Sequence, residues 1–152
     1  MQKQLYIAQP VQKCYDASMR EELSRCEGNN RIFAEIDAQM LILDRQISLA
    51  ELSELSSHIY GDMLKAVADV DRRLLALDAE LHADLESLLL EQGSAQESLW
   101  GFNIYPEADG EDFIEFDSLI NIRPRQGNNS REVEDDAVRK AICSIVDSHI
   151  SK

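Results

Sequence analysis

Between Phe113 and Arg123 apolar and polar side chains alternate one by one. Ile114, Phe116, Ser118, Ile120 and Ile122 fall on one side; Glu115, Asp117, Leu119, Asn121 and Arg123 fall on the other. A period of two is that of an extended strand. A strand with one apolar and one polar face belongs to an antiparallel sheet with one side wet. The segment therefore predicts such a strand, ended by Pro124. Leu99–Tyr105 is aromatic-rich and also alternates. The loop between them, Pro106 to Asp112, holds the turn pair Asp109-Gly110, so the two strands predict a β-hairpin.

The upstream segments supply the rest of the fold. Met40–Leu43 reads as an edge strand. Ser48 stands three residues before Glu51, the spacing of a capping box, and Leu49, Leu52, Leu55 and Ile59 follow as one helical face. Gly61 stops that helix. Met63–Val70 and Leu74–Leu77 flank Asp71-Arg72-Arg73 and predict a second hairpin. A continuous helix from Asp62 to Gly93 competes, because Ala, Leu, Asp and Glu dominate the run. Asp84–Gln92 is helical in either case, with Gly93 as its stop. Glu132 to Ile150 is amphipathic, with Val138, Ile142, Ile145, Val146 and His149 on the buried side. The order β-α-β-β-α-β-β-α predicts an α+β domain: a mostly antiparallel sheet of about five strands with three helices on one face.

Residues 1–39 read as a loosely ordered or helical N-terminal extension, punctuated by Pro10 and Gly28-Asn29-Asn30. Residues 40–152 read as a single domain. Translation starting at Met40 is one account of this division, and a docking helix upstream is the other. The domain carries ten basic and 23 acidic side chains, within a chain of net charge −14. Such a surface repels phosphate backbones, so nucleic acid is disfavoured and a basic protein partner or a cation fits better. Solubility is the ordinary meaning of such acidity. Cys14, Cys26 and Cys143 form no C-x-x-C pair. That is poor zinc spacing and an odd number for a disulfide framework, which points to a reducing cytoplasm. The start MQKQLYIAQPVQK lacks the apolar core of a signal peptide, and no apolar run is long enough to span a membrane.

Long composite motifs stand at GDMLKAVADV (61–70), ELHADLESLLLEQGS (80–94), LWGFNIYP (99–106) and IEFDSLINIRPRQGN (114–128), with Ser130-Arg131 and Val133-Glu134-Asp135 nearby. Through them the chain, from about Met40 onward, resembles a family of small bacterial proteins known only as a domain of unknown function. The resemblance implies no established activity. It supports the hairpin reading of 63–79, because such proteins often carry glycines near Asp78-Ala79, out of place in mid-helix. This chain lacks those glycines, which keeps the helical alternative open.

Three constellations could carry chemistry. The strand face of Glu115, Asp117, Asn121 and Arg123, with Asn103 and Tyr105 opposite, sets two carboxylates two residues apart. They repel unless a cation or Arg123 intervenes, which suits ligand binding or acid–base work. The bland reading is a wet sheet face balanced by Arg123. The loop from Arg123 to Arg131 gathers Arg123, Arg125, Asn128 and Ser130 ahead of a helix, a setting for a small anionic ligand. Its bland reading is a capping loop, with Ser130 as cap and Glu132, Glu134, Asp135 and Asp136 as partners. Trp100 is a stacking group or a core anchor. Glu80, His82, Asp84 and Glu86 could hold a divalent metal, the one cofactor considered, or simply start a helix. Cys143, His58 and His149 read as packing or surface residues, and no Ser/His/Asp or Cys/His signature is present.

The leading reading is a small acidic binding or regulatory protein, acting through a protein or small-ligand contact near residues 100–131. The alternative is a small metal- or phosphate-handling enzyme using Glu115, Asp117 and His82, with Arg123 and Arg125 as anion clamps. Convergence of His82 with the carboxylates of 115–117 is the observation that separates them.

Overall fold

The computed structural model describes residues 40–151, and the readings for the N-terminal extension lie outside them. The chain runs through β1 (Leu41–Ile42), β2 (Ile47–Ser48), α1 (Leu49–Ser56), β3 (Leu64–Asp69) and β4 (Leu74–Leu77). It continues through α2 (His82–Glu91), β5 (Leu99–Ile104), β6 (Ile114–Glu115), α3 (Asp136–His149) and β7 (Ile150–Ser151). Five strands form one sheet in the order β1-β4-β3-β5-β6, antiparallel at every pairing. Strands β2 and β7 form a separate parallel pair. The fold is α+β, as the order of elements implies.

Local chemistry explains the early elements. Ser48 caps α1: the Glu51 N–H reaches Ser48 Oγ at 3.3 Å, and the Ser48 N–H donates to Glu51 Oε2 at 2.8 Å. The Ser48 N–H and then the Arg45 guanidinium pull the Glu51 pKa down to about 2. Gly61, at φ 91°, returns its N–H to the Ser56 carbonyl and ends the turn after α1. The hairpin of β3 and β4 prevails over the continuous helix, with Ala66 opposite Leu77 and Asp69 opposite Leu74. Arg73 at φ 55° and Asp78 at φ 69° mark its turn and its exit.

The sheet is covered on both sides. Leu64, Ala66 and Ala68 line up across the ladder with Leu75, Leu77, Phe102 and Ile104, and pack with Leu52 of α1 and Ile142, Ile145 and Val146 of α3. Val67, Ala76 and Leu99 pack with Leu85 and Leu89 of α2. The three helices therefore divide between the two faces rather than sharing one. The reason lies in β4, which is apolar at both parities, and in Val67 of β3, which faces α2 between Lys65 and Asp69.

The alternating segment 113–123 is the main correction. It is paired with β5 only through Ile114 and Glu115. Beyond them the chain leaves the sheet in short 3-10 turns at Leu119–Asn121 and Pro124–Gln126. Asp117, Asn121 and Arg123 thus share no strand face with Glu115. What replaces the strand is a side chain. Asn121 Oδ1 accepts the Gly101 N–H at 2.9 Å, and Asn121 Nδ2 donates to the Gly101 carbonyl at 2.8 Å. One amide satisfies the β5 edge that a strand backbone would otherwise pair. The approach is close: a Cβ on Gly101 would stand 2.7 Å from Ser118 Cβ. Helix α3 begins later than its pattern suggests. Its cap is Asp135, whose Oδ1 accepts the Ala137 N–H at 2.7 Å, and not Ser130. Among the described residues no helix is long and apolar enough to cross a membrane.

Candidate functional site

The loop after Asn121 is held from within. Asn128 is buried, and its Nδ2 donates to the carbonyls of Asn121, Ser130 and Glu132 at 2.8, 3.0 and 2.7 Å. Its Oδ1 accepts the Glu134 N–H at 2.8 Å, and its backbone bridges Arg123 in both directions. Arg123 donates to the carbonyls of Ile120 and Gln96 and to Glu86 Oε1 at 3.1 Å, with Trp100 under its plane at 5.3 Å. Both members of the Arg123–Glu86 pair are largely buried, at 11% and 13% exposure. Arg131 grips Asp117 through Nε at 2.7 Å and Nη2 at 2.8 Å. The Ser130 hydroxyl and the Asn129 N–H hold the Glu134 carboxyl below its usual range. Arg125 is exposed beside Glu97 on a shallow depression.

A second group lies on the α2 face of the sheet. The ladder sets Lys65 of β3, Asn103 of β5 and Glu115 of β6 side by side. Glu115 Oε2 accepts from Asn103 Nδ2 at 2.8 Å and from the Tyr105 hydroxyl at 3.0 Å. Burial, and then the Glu115 carboxylate, push the Tyr105 pKa up; Asp62 and Asp117 add to it. His82 opens α2 from beneath, with Nε2 2.9 Å from the Phe102 carbonyl. Burial pulls the His82 pKa down and Lys65 assists. The Phe102 carbonyl, the Asp117 charge and the Asn103 side chain oppose.

These facts interlock. A neutral imidazole has one N–H, and His82 uses it on Phe102. It has none left for Asn103. Asn103 is only 5% exposed, and its Oδ1 has no hydrogen-bond partner. Its amide cannot turn round without aiming that oxygen at the Glu115 carboxylate. The result is a buried acceptor beside a carboxylate, an arrangement that costs stability until a donor arrives.

Of the residues singled out in the sequence, Asn103, Tyr105 and Glu115 come together. Asn121, Arg123 and Asn128 form a separate scaffold at the β5 edge, tied to α2 through Glu86, and Trp100 lies in the core cluster. His82 and Glu86 part company: one bonds β5 and the other bonds Arg123. Among the described residues no three His, Cys, Asp or Glu side chains gather in a way that could hold a metal ion. Sequence reading missed Lys65, although it is the only charge within the apolar run 64–68. A family model described as "Protein of unknown function (DUF5674)" matches residues 41–149. No curated protein and no solved structure matches the chain.

Proposed function

The chain belongs to the DUF5674 family, proteins of unknown function, and from that premise we propose a binding module that receives a basic side chain of a partner protein. The receiving group is the cluster of Asn103, Tyr105 and Glu115. The observation that carries this reading is an exposed carboxylate, Glu115, set beside an acceptor, Asn103 Oδ1, to which no protein group donates. Glu115 adds a formal negative charge, and the excess of acids over bases in 40–152 draws cations toward the domain. A lysine ammonium or an arginine guanidinium supplies several donors and a positive charge at once. The enzymatic alternative has less support, because the clamp it needs from Arg123 is already bonded to Glu86 and two carbonyls.

The test is a titration of the isotope-labelled protein with a lysine-rich peptide and with a glutamate-rich one. The lysine-rich peptide is expected to shift the Asn103 side-chain amide and to lose about tenfold in affinity in Asn103→Ala, the scale of one charge-assisted hydrogen bond. Equal binding of both peptides, or full affinity in Asn103→Ala, would overturn the proposal.

A further inference from the structure

A different cleft lies between β1, β2 and α1. It measures about 290 Å³ and is walled by Leu41, Leu43, Ile47 and Leu55, with His58 in its lining. His58 Nδ1 stands 3.5 Å from Asp78 Oδ2. Asp78 is 1% exposed, and its other oxygen, Oδ1, has no partner. Its φ of 69° lies in the left-handed region, where Gly is at ease and Asn and Asp are the side chains most often held. The fold thus holds a buried, half-paired carboxylate in a strained backbone behind an imidazole that is 36% exposed. Strain and an unpaired buried group at one residue are features that cluster at ligand sites.

We infer that this cleft is a second ligand site, for a small apolar molecule that ends in a protonated amine, with His58 positioned by Asp78 as its acceptor. The electrostatics select that end group. A carboxylate accepting the Nδ1–H orients the ring, and a neutral imidazole so held presents Nε2 as a lone pair. Arg45 on the rim is taken by Glu51 at 2.9 Å. The remaining polar groups, Asp44 and Glu54, are carboxylates. Every free group at the rim therefore accepts, and the charge is negative, so an anion is repelled and an ammonium is drawn in. The walls are aliphatic, and the volume lies at the low end for ligand pockets, which limits the body to a short chain or one ring.

Hexylammonium, hexanol and hexanoate, matched in length, separate the terms. Each is titrated into the full chain while the methyl signals of Ile47 and Leu55 and the His58 ring are followed by NMR. Hexylammonium is expected to shift them saturably and to bind at least about tenfold more tightly than the other two. His58→Gln and Asp78→Asn are each expected to weaken it about tenfold while circular dichroism stays unchanged. Asparagine tolerates the left-handed backbone, so the second variant keeps the turn. Binding of hexanoate or hexanol as tight as that of hexylammonium would overturn the inference. So would no saturable shift with any probe, shifts confined to Asn103 and Tyr105, or unchanged affinity in both folded variants.

Discussion

Two clusters built on buried asparagines lie along one edge of β5, and they treat their amides differently. Asn121 and Asn128 bond through both ends of the side chain, to Gly101, Arg131, Ser130, Glu132 and Glu134 among others. Asn103 bonds through Nδ2 alone. A buried amide with every group paired fixes a loop. A buried amide with an acceptor left over fixes less and costs more. The same residue type thus acts as scaffold at Gly101 and as candidate receptor two residues further along the same edge of the strand.

Substitutions can break this contrast. Arg123→Ala should cost most, about 4 kcal/mol, because it leaves the Glu86 charge buried and unpaired. Asn128→Ala follows at about 3 kcal/mol, from several backbone groups losing a partner inside the loop. Denaturant unfolding measures both. If Asn103→Ala cost as much as Asn128→Ala, the contrast would fail; a loss of about 1 kcal/mol or less is expected, since the orphaned acceptor goes with the amide. Gly101→Ala sharpens the packing side of the argument. Its Cβ meets the backbone-anchored Ser118 Cβ, and a fall in thermal midpoint equivalent to about 2 kcal/mol is expected.

The smallest effect concerns pH. The His82 pKa is below its ordinary value in the folded chain, so the unfolded chain binds that proton more readily. His82 therefore makes the domain lose stability as pH falls below about 6.5, and contributes nothing above it. His82→Gln keeps an N–H for Phe102 and does not titrate. Its thermal midpoint should fall less steeply over the same acid range than that of the parent chain.

Much of the fold was legible because it rests on short-range signals. The Ser48–Glu51 box, the stop at Gly93 and the two-residue alternation all act within a few residues, whereas α1 ends at Ser56, short of the stop read at Gly61. The segment 113–123 misled because its alternation is genuine while its burial is not: Ile122, on the apolar side, ends up 44% exposed, and Asn121, on the polar side, is fully buried. A ladder needs a partner edge, and the Asn121 side chain had already taken the one at Gly101. That competition joins residues 20 apart and leaves no trace in local periodicity. The candidate site was half legible. Asn103, Tyr105 and Glu115 were named from strand register, whereas Lys65 depends on the pairing of β3 with β5 and the role of His82 on α2 crossing beneath β5. Asp78 illustrates the reverse case, a position where glycine suits the backbone and the chain carries an acid.

The pairing of β2 with β7 bears on when the domain can form. Ile47 lies opposite Ile150, and Ser48, the cap of α1, lies opposite Ser151. During synthesis β2 has no strand to meet until the chain has been made through Ser151. Contacts so distant in sequence close late in folding, after local hairpins such as β3–β4. Helix α1 is therefore set among the last elements to dock and, by the same logic, among the first to let go under stress.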